Sequence, residues 1–171
     1  MQRYIGVKEI NAKPMKRAAY NVARGWTLPA DENGDDDGFL VEYIDGGKAN
    51  TDAYTGYVSW SPKDVFERAY KPVNGMTFGL ALEALKKGHK VARKGWNGKG
   101  MWLSLSGTDG MRHVHANNLW SKNIADYART QPDSCAQVQP CVVMKTATGQ
   151  IQMGWLASQS DMLAEDWELV A

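Results

Sequence analysis

The sequence has few cysteines, no long apolar run and almost no excess of charge, and each shortage argues against a class of protein. Two cysteines among 171 residues do not make a disulfide framework, so we expect a reducing compartment. No apolar stretch approaches the roughly 20 residues that span a membrane, and the opening MQRYIGVKEI lacks the apolar segment of a signal peptide. The 20 lysines and arginines barely outnumber the 19 acidic residues, whereas nucleic-acid-binding domains usually carry a basic excess. We therefore expect no membrane span and no nucleic-acid partner.

The sequence predicts an α+β chain in two parts, and residues 1–73 are the first of them, a small α+β module. A short helix should end at Gly25, and strands at 39–43 and 57–60 should form a hairpin. Ser61 stands directly before a proline, which is typical of the N-cap of a following helix. No residue pattern in this module indicates chemistry.

The acidic loop DENGDDDG of this module is a candidate calcium site. Asn33, Asp35 and Asp37 match the first half of an EF-hand loop by spacing. The twelfth position of such a loop needs a bidentate glutamate, and here it is Ile44. A solvated acidic turn is the favoured interpretation.

Residues 74–171 are predicted to form a second domain, a small antiparallel sheet with a packed N-terminal helix. Thr77 should cap that helix, which has one apolar stripe and ends at Gly88. Leu80 occupies the third helical position, where a capping box would have an acid. Alternating or apolar runs predict strands around residues 91–93, 101–106, 140–145, 151–155 and 168–170. Residues 107–139 are irregular, with a helical pattern only around 117–127, and are interpreted as a long insertion.

The known catalytic patterns are missing from this domain. Gly95, Gly98 and Gly100 have the wrong order for a dinucleotide fingerprint, and no P-loop or GxSxG elbow occurs. His113 and His115 would share one face of a strand, but no recognised spacing supplies further metal ligands. We predict no catalytic residues, no metal and no cofactor, so binding without turnover is favoured.

The turn at residues 95–100 carries part of a predicted binding constellation. Trp96 is flanked by glycines, so the local sequence gives it few apolar neighbours, and its ring can stack on a base. Asn97 can address sugar hydroxyls or base edges. Arg93 and Lys94 are candidates for phosphate contacts, although Arg93 can equally extend from the edge of a strand.

The stretch GWLASQSDMLAEDW carries the other part. Ser158, Gln159 and Asp161 can bind hydroxyls and base edges. Ser160 stands where a helix N-cap is expected, with Asp161 in the first turn. On these residues alone, the favoured interpretation is a well-capped connector between two strands, and a binding segment is the alternative.

Two segments carry a resemblance to a known family. MTFGLALEALKKGHKVARKGWNGKGMW and PCVVMKTATGQIQMGWLASQSDMLAEDWELV resemble the phage Thoeris anti-defence proteins of the second type. The likeness runs from about Met76 to the C-terminus, with 107–139 the most divergent part and 1–73 outside it. The motifs GWNG and GWLASQ-x-DMLAEDW are specific in combination.

The resemblance implies a non-enzymatic sponge in the host bacterial cytoplasm that binds a TIR-derived glycosyl-cyclic ADP-ribose and so silences Thoeris immunity. It also implies a homotetramer with pockets shared between protomers. The implied ligand contacts are Trp96, Asn97, Trp155, Ser158, Gln159 and Asp161, with Arg93 as the candidate for phosphate. The alternatives are a sponge for cyclic di- or oligonucleotides, a virion or other structural module, and a nucleotide hydrolase.

Overall fold

A computed structural model of the protein describes residues 1–3, 5–96, 100–107 and 109–171. The chain divides into two compact units, Met1–Lys71 and Pro72–Ala171. Each unit combines helices with antiparallel sheet, so the α+β prediction is confirmed. Among the helices of the described residues, none is both long enough and apolar enough to cross a bilayer.

The N-terminal unit is built on a three-stranded antiparallel sheet. Its elements are β1 (Ile10–Pro14), α1 (Arg17–Arg24), β2 (Gly38–Tyr43), β3 (Tyr57–Pro62) and α2 (Lys63–Ala69). The predicted pairing of β2 with β3 is confirmed, and β1 adds to the other edge of β2. Gly25 ends α1, as predicted, and it does so in the left-handed conformation. Tyr20, Leu40 and Val58 form the small core.

The predicted start of α2 is wrong. Ser61 does not cap the helix, because it still belongs to β3 and pairs with Phe39 in the ladder. The helix begins two residues later at Lys63, without a side-chain cap. Phe66 then stacks on Phe39, with ring centroids 4.0 Å apart, so packing on the sheet fixes the helix where capping does not.

The acidic loop is paired with the start of α1. Arg17 lies 2.7 Å from Glu32 and 3.3 Å from Asp36, and Lys16 lies 3.5 Å from Asp37. Within the described residues there is no group of three or more histidine, cysteine or acidic side chains that could hold a metal ion. The loop is thus held by ion pairs of its own unit.

The C-terminal unit is a five-stranded antiparallel sheet covered by one helix, with a smaller sheet inserted. Its elements are α3 (Phe78–Lys86), β4 (Lys90–Arg93), β5 (Trp102–Ser106), β6 (Arg112–His115), α4 (Lys122–Arg129), β7 (Cys135–Val138), β8 (Cys141–Lys145), β9 (Ile151–Met153), α5 (Gln159–Met162) and β10 (Trp167–Val170). The large sheet has the order β10-β4-β5-β8-β9. This is the predicted antiparallel sheet with a packed N-terminal helix.

Helix α3 covers the core side of this sheet. The Thr77 side chain caps it by accepting a hydrogen bond from the Leu80 N–H at 3.4 Å, as predicted. Leu85 of the helix packs with Val91 and Leu103 of the strands, and all three are fully buried. Burial of this stripe stabilises the unit far more than the weak first-turn cap does.

The interpretation of residues 107–139 as irregular is wrong. Strands β6 and β7 pair along their full length, and α4 lies between them in the chain. The helix was expected from residue 117 and begins at 122. The core of this insertion is made of Ala116, Ala128 and Ala136. Because alanines carry little hydrophobic signal, the periodicity of the insertion could not be recognised from the sequence.

Candidate functional site

The two predicted binding segments meet at one end of the large sheet. Arg93 ends β4 and pairs with Trp167, which begins β10. The turn that carries Trp96 follows β4, and the loop that carries α5 precedes β10. The antiparallel pairing of these two strands therefore brings the turn and the α5 loop together, although they lie far apart in the sequence.

Three tryptophans and a phenylalanine form an aromatic cluster at this end of the sheet. The ring centroid of Trp96 lies 5.9 Å from that of Trp155 and 5.3 Å from that of Trp167, at interplanar angles of 69° and 76°. Phe78 of α3 lies 5.4 Å from Trp167. Trp167 is fully buried, whereas Trp96 and Trp155 are half-buried. The two edge-to-face contacts of Trp96 are favourable beyond the area that they bury.

Trp96 has aromatic neighbours in the fold that the local sequence does not supply. The flanking residues do leave it isolated in the local sequence, but Trp155 and Trp167 come from the α5 loop and β10. Its indole N–H also points to the Asp161 carboxylate, at 3.4 Å. Trp96 is thus partly a core residue, and its role as a stacking platform stays a prediction.

The N-cap of α5 is Ser158, and the prediction of Ser160 is wrong. The Ser158 hydroxyl accepts from the Asp161 N–H at 3.1 Å, and the Asp161 carboxylate accepts from the Ser158 N–H at 3.1 Å. This reciprocal pair is a capping box with the acid at the third helical position. Asp161 reaches back three residues, so the cap must be Ser158. The Ser160 hydroxyl lies 2.8 Å from that of Ser158.

Arg93 lies between two carboxylates. Its Nη1 donates to Asp161 Oδ1 and its Nε to Asp166 Oδ1, both at 2.8 Å. The Arg93 and Asp161 side chains are only 18% and 13% exposed, and that of Asp166 is 32% exposed. Asp166 also accepts from the Gly95 N–H at 2.9 Å. The sequence patterns assigned no role to Asp166, although it stands in the matched motif beside Trp167.

Comparison with known proteins identifies the family to which the site belongs. A family model described as the Thoeris anti-defense 2-like domain matches residues 76–170, more than half of the chain. The chain belongs to the Thoeris anti-defense 2-like family. It is also similar to Thoeris anti-defense 2 of Bacillus phage SP01, with 36% identity over 96 residues that cover 56% of this chain and 96% of the relative. The predicted resemblance is confirmed, and both segments of the site lie within the Thoeris anti-defense 2-like domain.

The charges of Arg93, Asp161 and Asp166 in this domain stabilise one another in the ionised state. The hydrogen bond from Arg93 is the main reason why the pKa of Asp166 is lowered. Burial acts to raise the pKa of Asp161, but hydrogen bonds from Ser158 and Arg93 outweigh it, and the pKa is lowered. In return, Asp166 and then Asp161 raise the pKa of Arg93. One cation and two anions leave a net charge of −1, so a phosphate at Arg93 would have to approach two carboxylates.

The other residues that the sequence predicts for the site do not belong to the hydrogen-bonded group around Arg93. Gln159 is exposed at the start of α5, and Lys94 is exposed on the turn. Asn97 lies outside the described residues. A cleft of about 520 Å³ lies in the N-terminal unit, outside the Thoeris anti-defense 2-like domain, and contains none of the predicted site residues. Its lining is Asp36, Asp37, Trp60, Pro62, Lys63, Asp64 and Glu67.

Proposed function

We propose that this Thoeris anti-defense 2-like protein is a phage sponge that blocks Thoeris defence. In this proposal it binds a TIR-derived glycosyl-cyclic ADP-ribose in the host bacterial cytoplasm and sequesters it without degrading it. The observation that carries the proposal is the match of the family domain to residues 76–170. The name of the phage SP01 relative supports action against Thoeris defence.

The chemistry of the site suits a nucleotide with a flat base and two riboses. The half-buried rings of Trp96 and Trp155 can offer π surface to an adenine. The exposed Ser158 hydroxyl and Gln159 amide can bind ribose hydroxyls. Lys94 is an exposed cation on the same turn as Trp96, and a cation of that kind suits a pyrophosphate.

The low basicity of the Asp161 carboxylate favours binding over hydrolysis. Asp161 is the carboxylate beside the Ser158 hydroxyl, at 2.6 Å. A general base works best when its pKa lies near the working pH, whereas the pKa of Asp161 is lowered from an already acidic value. Its oxygens also accept hydrogen bonds from Arg93 and Trp96. Activation of the serine for attack on a nucleotide is therefore disfavoured.

Equilibrium dialysis tests the binding step. The purified full-length protein should deplete a glycosyl-cyclic ADP-ribose isomer from the protein-free chamber, and linear ADP-ribose should stay evenly distributed. Cyclic di- and trinucleotides in parallel cells test the alternative sponge. Depletion of those ligands alone would contradict the proposed ligand, and even distribution of every nucleotide would favour a structural module.

The exposed apolar side chains of the C-terminal unit support the proposal of a homotetramer with pockets between protomers. Leu156 and Leu163 are 87% and 79% exposed, and both lie on the loop that carries Ser158. Trp120 and Met153 are exposed elsewhere in the unit. Apolar side chains beside a site are covered when a second protomer completes it.

Light scattering at micromolar concentration should therefore report four times the mass of the 18.9 kDa chain. Leu156→Ser with Leu163→Ser should lower the mass and weaken binding together. The control pair Val22→Ser with Val73→Ser also removes exposed apolar side chains, but these lie outside the α5 loop. This pair should leave the mass and the ligand affinity unchanged. A wild-type protein with the mass of a monomer would refute the assembly.

Trp96→Ala should weaken ligand binding by roughly 1–3 kcal/mol, the usual cost of losing one aromatic–base stack. Because Trp96 also contacts Trp155 and Trp167, the ligand-free protein should lose some stability as well. Calorimetric titration and a melting curve measure the two effects. Trp26→Ala removes an exposed tryptophan of the N-terminal unit and should leave affinity unchanged. Full affinity of folded Trp96→Ala would remove Trp96 from the site.

A further inference from the structure

Asp166 contacts the turn after β4 through its side chain and its backbone. Its carboxylate accepts from Arg93 Nε at 2.8 Å and from the Gly95 N–H at 2.9 Å. Its backbone carbonyl accepts from the Lys94 N–H at 3.2 Å. We propose that Asp166 is a positioning residue of the ligand site, which fixes the turn carrying Trp96 against the α5 loop. The part of this proposal that concerns ligand affinity rests on the proposed function.

Through Arg93, Asp166 can position both the turn that carries Trp96 and the loop that carries α5. The guanidinium that Asp166 holds also donates to Asp161 Oδ1 at 2.8 Å. That same oxygen accepts from the Trp96 indole N–H at 3.4 Å, while Asp161 Oδ2 accepts from Ser158. A continuous set of hydrogen bonds thus runs from Asp166 to the Trp96 ring and to the cap of α5. Its members fix one another's rotamers, which is what a preorganised site requires.

Gly95 supplies a second observation for this role. A Cβ atom at residue 95 would lie 3.1 Å from the Asp166 carboxylate, which is tighter than ordinary packing allows. The missing side chain lets the carboxylate reach the Gly95 N–H. The first glycine of the GWNG motif is therefore explained by the approach of Asp166.

Asp166 is placed to support the site and not to bind the nucleotide. Both of its carboxylate oxygens accept hydrogen bonds from the protein. Its negative charge would also repel a pyrophosphate at short range. Removal of Asp166 should therefore lower affinity only by displacing the turn.

Fluorine NMR of the full-length protein labelled with 5-fluorotryptophan observes the turn directly. Trp96→Phe assigns the Trp96 resonance, which is then followed in ligand-free Asp166→Ala and Asp166→Asn. The asparagine oxygen can still accept from the Gly95 N–H but loses the ion pair with Arg93, so a smaller displacement is expected. Gly95→Ala should reproduce the effect from the other side of the contact. Glu165→Gln removes the neighbouring exposed acid and is the matched control.

The expected result is a shifted or broadened Trp96 resonance in Asp166→Ala, a smaller change in Asp166→Asn and none in Glu165→Gln. Calorimetric titration with a glycosyl-cyclic ADP-ribose isomer should show affinity reduced roughly tenfold in Asp166→Ala, because returning the displaced turn to its binding position then costs about the free energy of the lost hydrogen bond to Arg93. If Asp166→Ala does not fold, the same comparison rests on Asp166→Asn and Gly95→Ala.

An unchanged Trp96 resonance in Asp166→Ala would overturn the positioning role. If Asp166→Ala does not fold, an unchanged resonance in both Asp166→Asn and Gly95→Ala would overturn it. Unchanged affinity alongside a shifted resonance would also overturn it, because the turn would then move without consequence for the ligand. A wild-type protein that does not bind the isomer would contradict the proposed function instead. The fluorine measurement on ligand-free protein would still decide whether Asp166 positions the turn.

Discussion

Trp167→Ala is expected to destabilise the C-terminal unit by about 3–5 kcal/mol, the range for truncating a large buried aromatic side chain. Trp167 is fully buried and contacts Trp96, Trp155 and Phe78. Its indole N–H donates to the Asp161 carbonyl at 3.0 Å. Truncation therefore leaves a cavity beneath Trp96 and Trp155 and removes one of the hydrogen bonds that the Asp161 carbonyl accepts.

Denaturant unfolding followed by far-ultraviolet circular dichroism measures this loss. Trp167→Phe keeps an aromatic ring but lacks the indole N–H, so its free energy of unfolding should decrease by less than that of Trp167→Ala. Tyr127→Ala truncates an exposed aromatic side chain of the same unit, and it should lower the free energy of unfolding by no more than about 0.5 kcal/mol. A decrease of less than about 1 kcal/mol in the free energy of unfolding of Trp167→Ala would contradict the burial of Trp167 in the core.

Arg93→Ala is expected to have the second largest effect and to lower the free energy of unfolding by roughly 2–4 kcal/mol. This range lies between the cost of breaking an exposed ion pair and the cost of breaking a fully buried one. The substitution leaves Asp161 and Asp166, both mostly buried, without their shared cation. Arg129→Ala breaks an exposed pair with Asp126 in the same unit and should cost less than about 1 kcal/mol. Denaturant unfolding of the two variants beside wild type is the measurement.

The loss in Arg93→Ala should depend on pH in a defined direction. Arg93 lowers the folded-state pKa of Asp166 and contributes to lowering that of Asp161. The stabilisation that results is complete above the unfolded pKa of aspartate, about 3.9, and is lost as the pH falls through the lowered folded values. The difference between wild type and Arg93→Ala should thus be constant from about pH 5 to pH 8 and shrink below about pH 4. A difference that grows on acidification would contradict this assignment.

The sequence predicted most of the regular elements of the fold, because their signals are local. The left-handed stop at Gly25, the Thr77 cap and the strand through Leu103 each depend on residues within a few positions. The insertion was misjudged because its core is made of alanine. Ser61 was misjudged because pairing with Phe39 in the sheet outweighed its capping preference.

The site could be predicted only in part, for a related reason. The composition of the two segments indicated binding residues, but their contacts depend on the pairing of β4 with β10. The tertiary neighbours of Trp96 and the double pairing of Arg93 are long-range consequences of that pairing. Asp166 was missed because a lone acid before a buried tryptophan has no local signature of a positioning role.

The central claim is that the protein sequesters a cyclic nucleotide without degrading it. The most direct test of this claim is the chemical identity of the ligand after release. A glycosyl-cyclic ADP-ribose isomer is incubated with excess full-length protein, unbound nucleotide is removed by gel filtration, and the complex is denatured by heat. Liquid chromatography with mass spectrometry then examines the released nucleotide. The proposed sponge predicts stoichiometric recovery of the intact cyclic isomer after prolonged incubation. Recovery of a linear or hydrolysed product, or no nucleotide in the protein fraction, would contradict it.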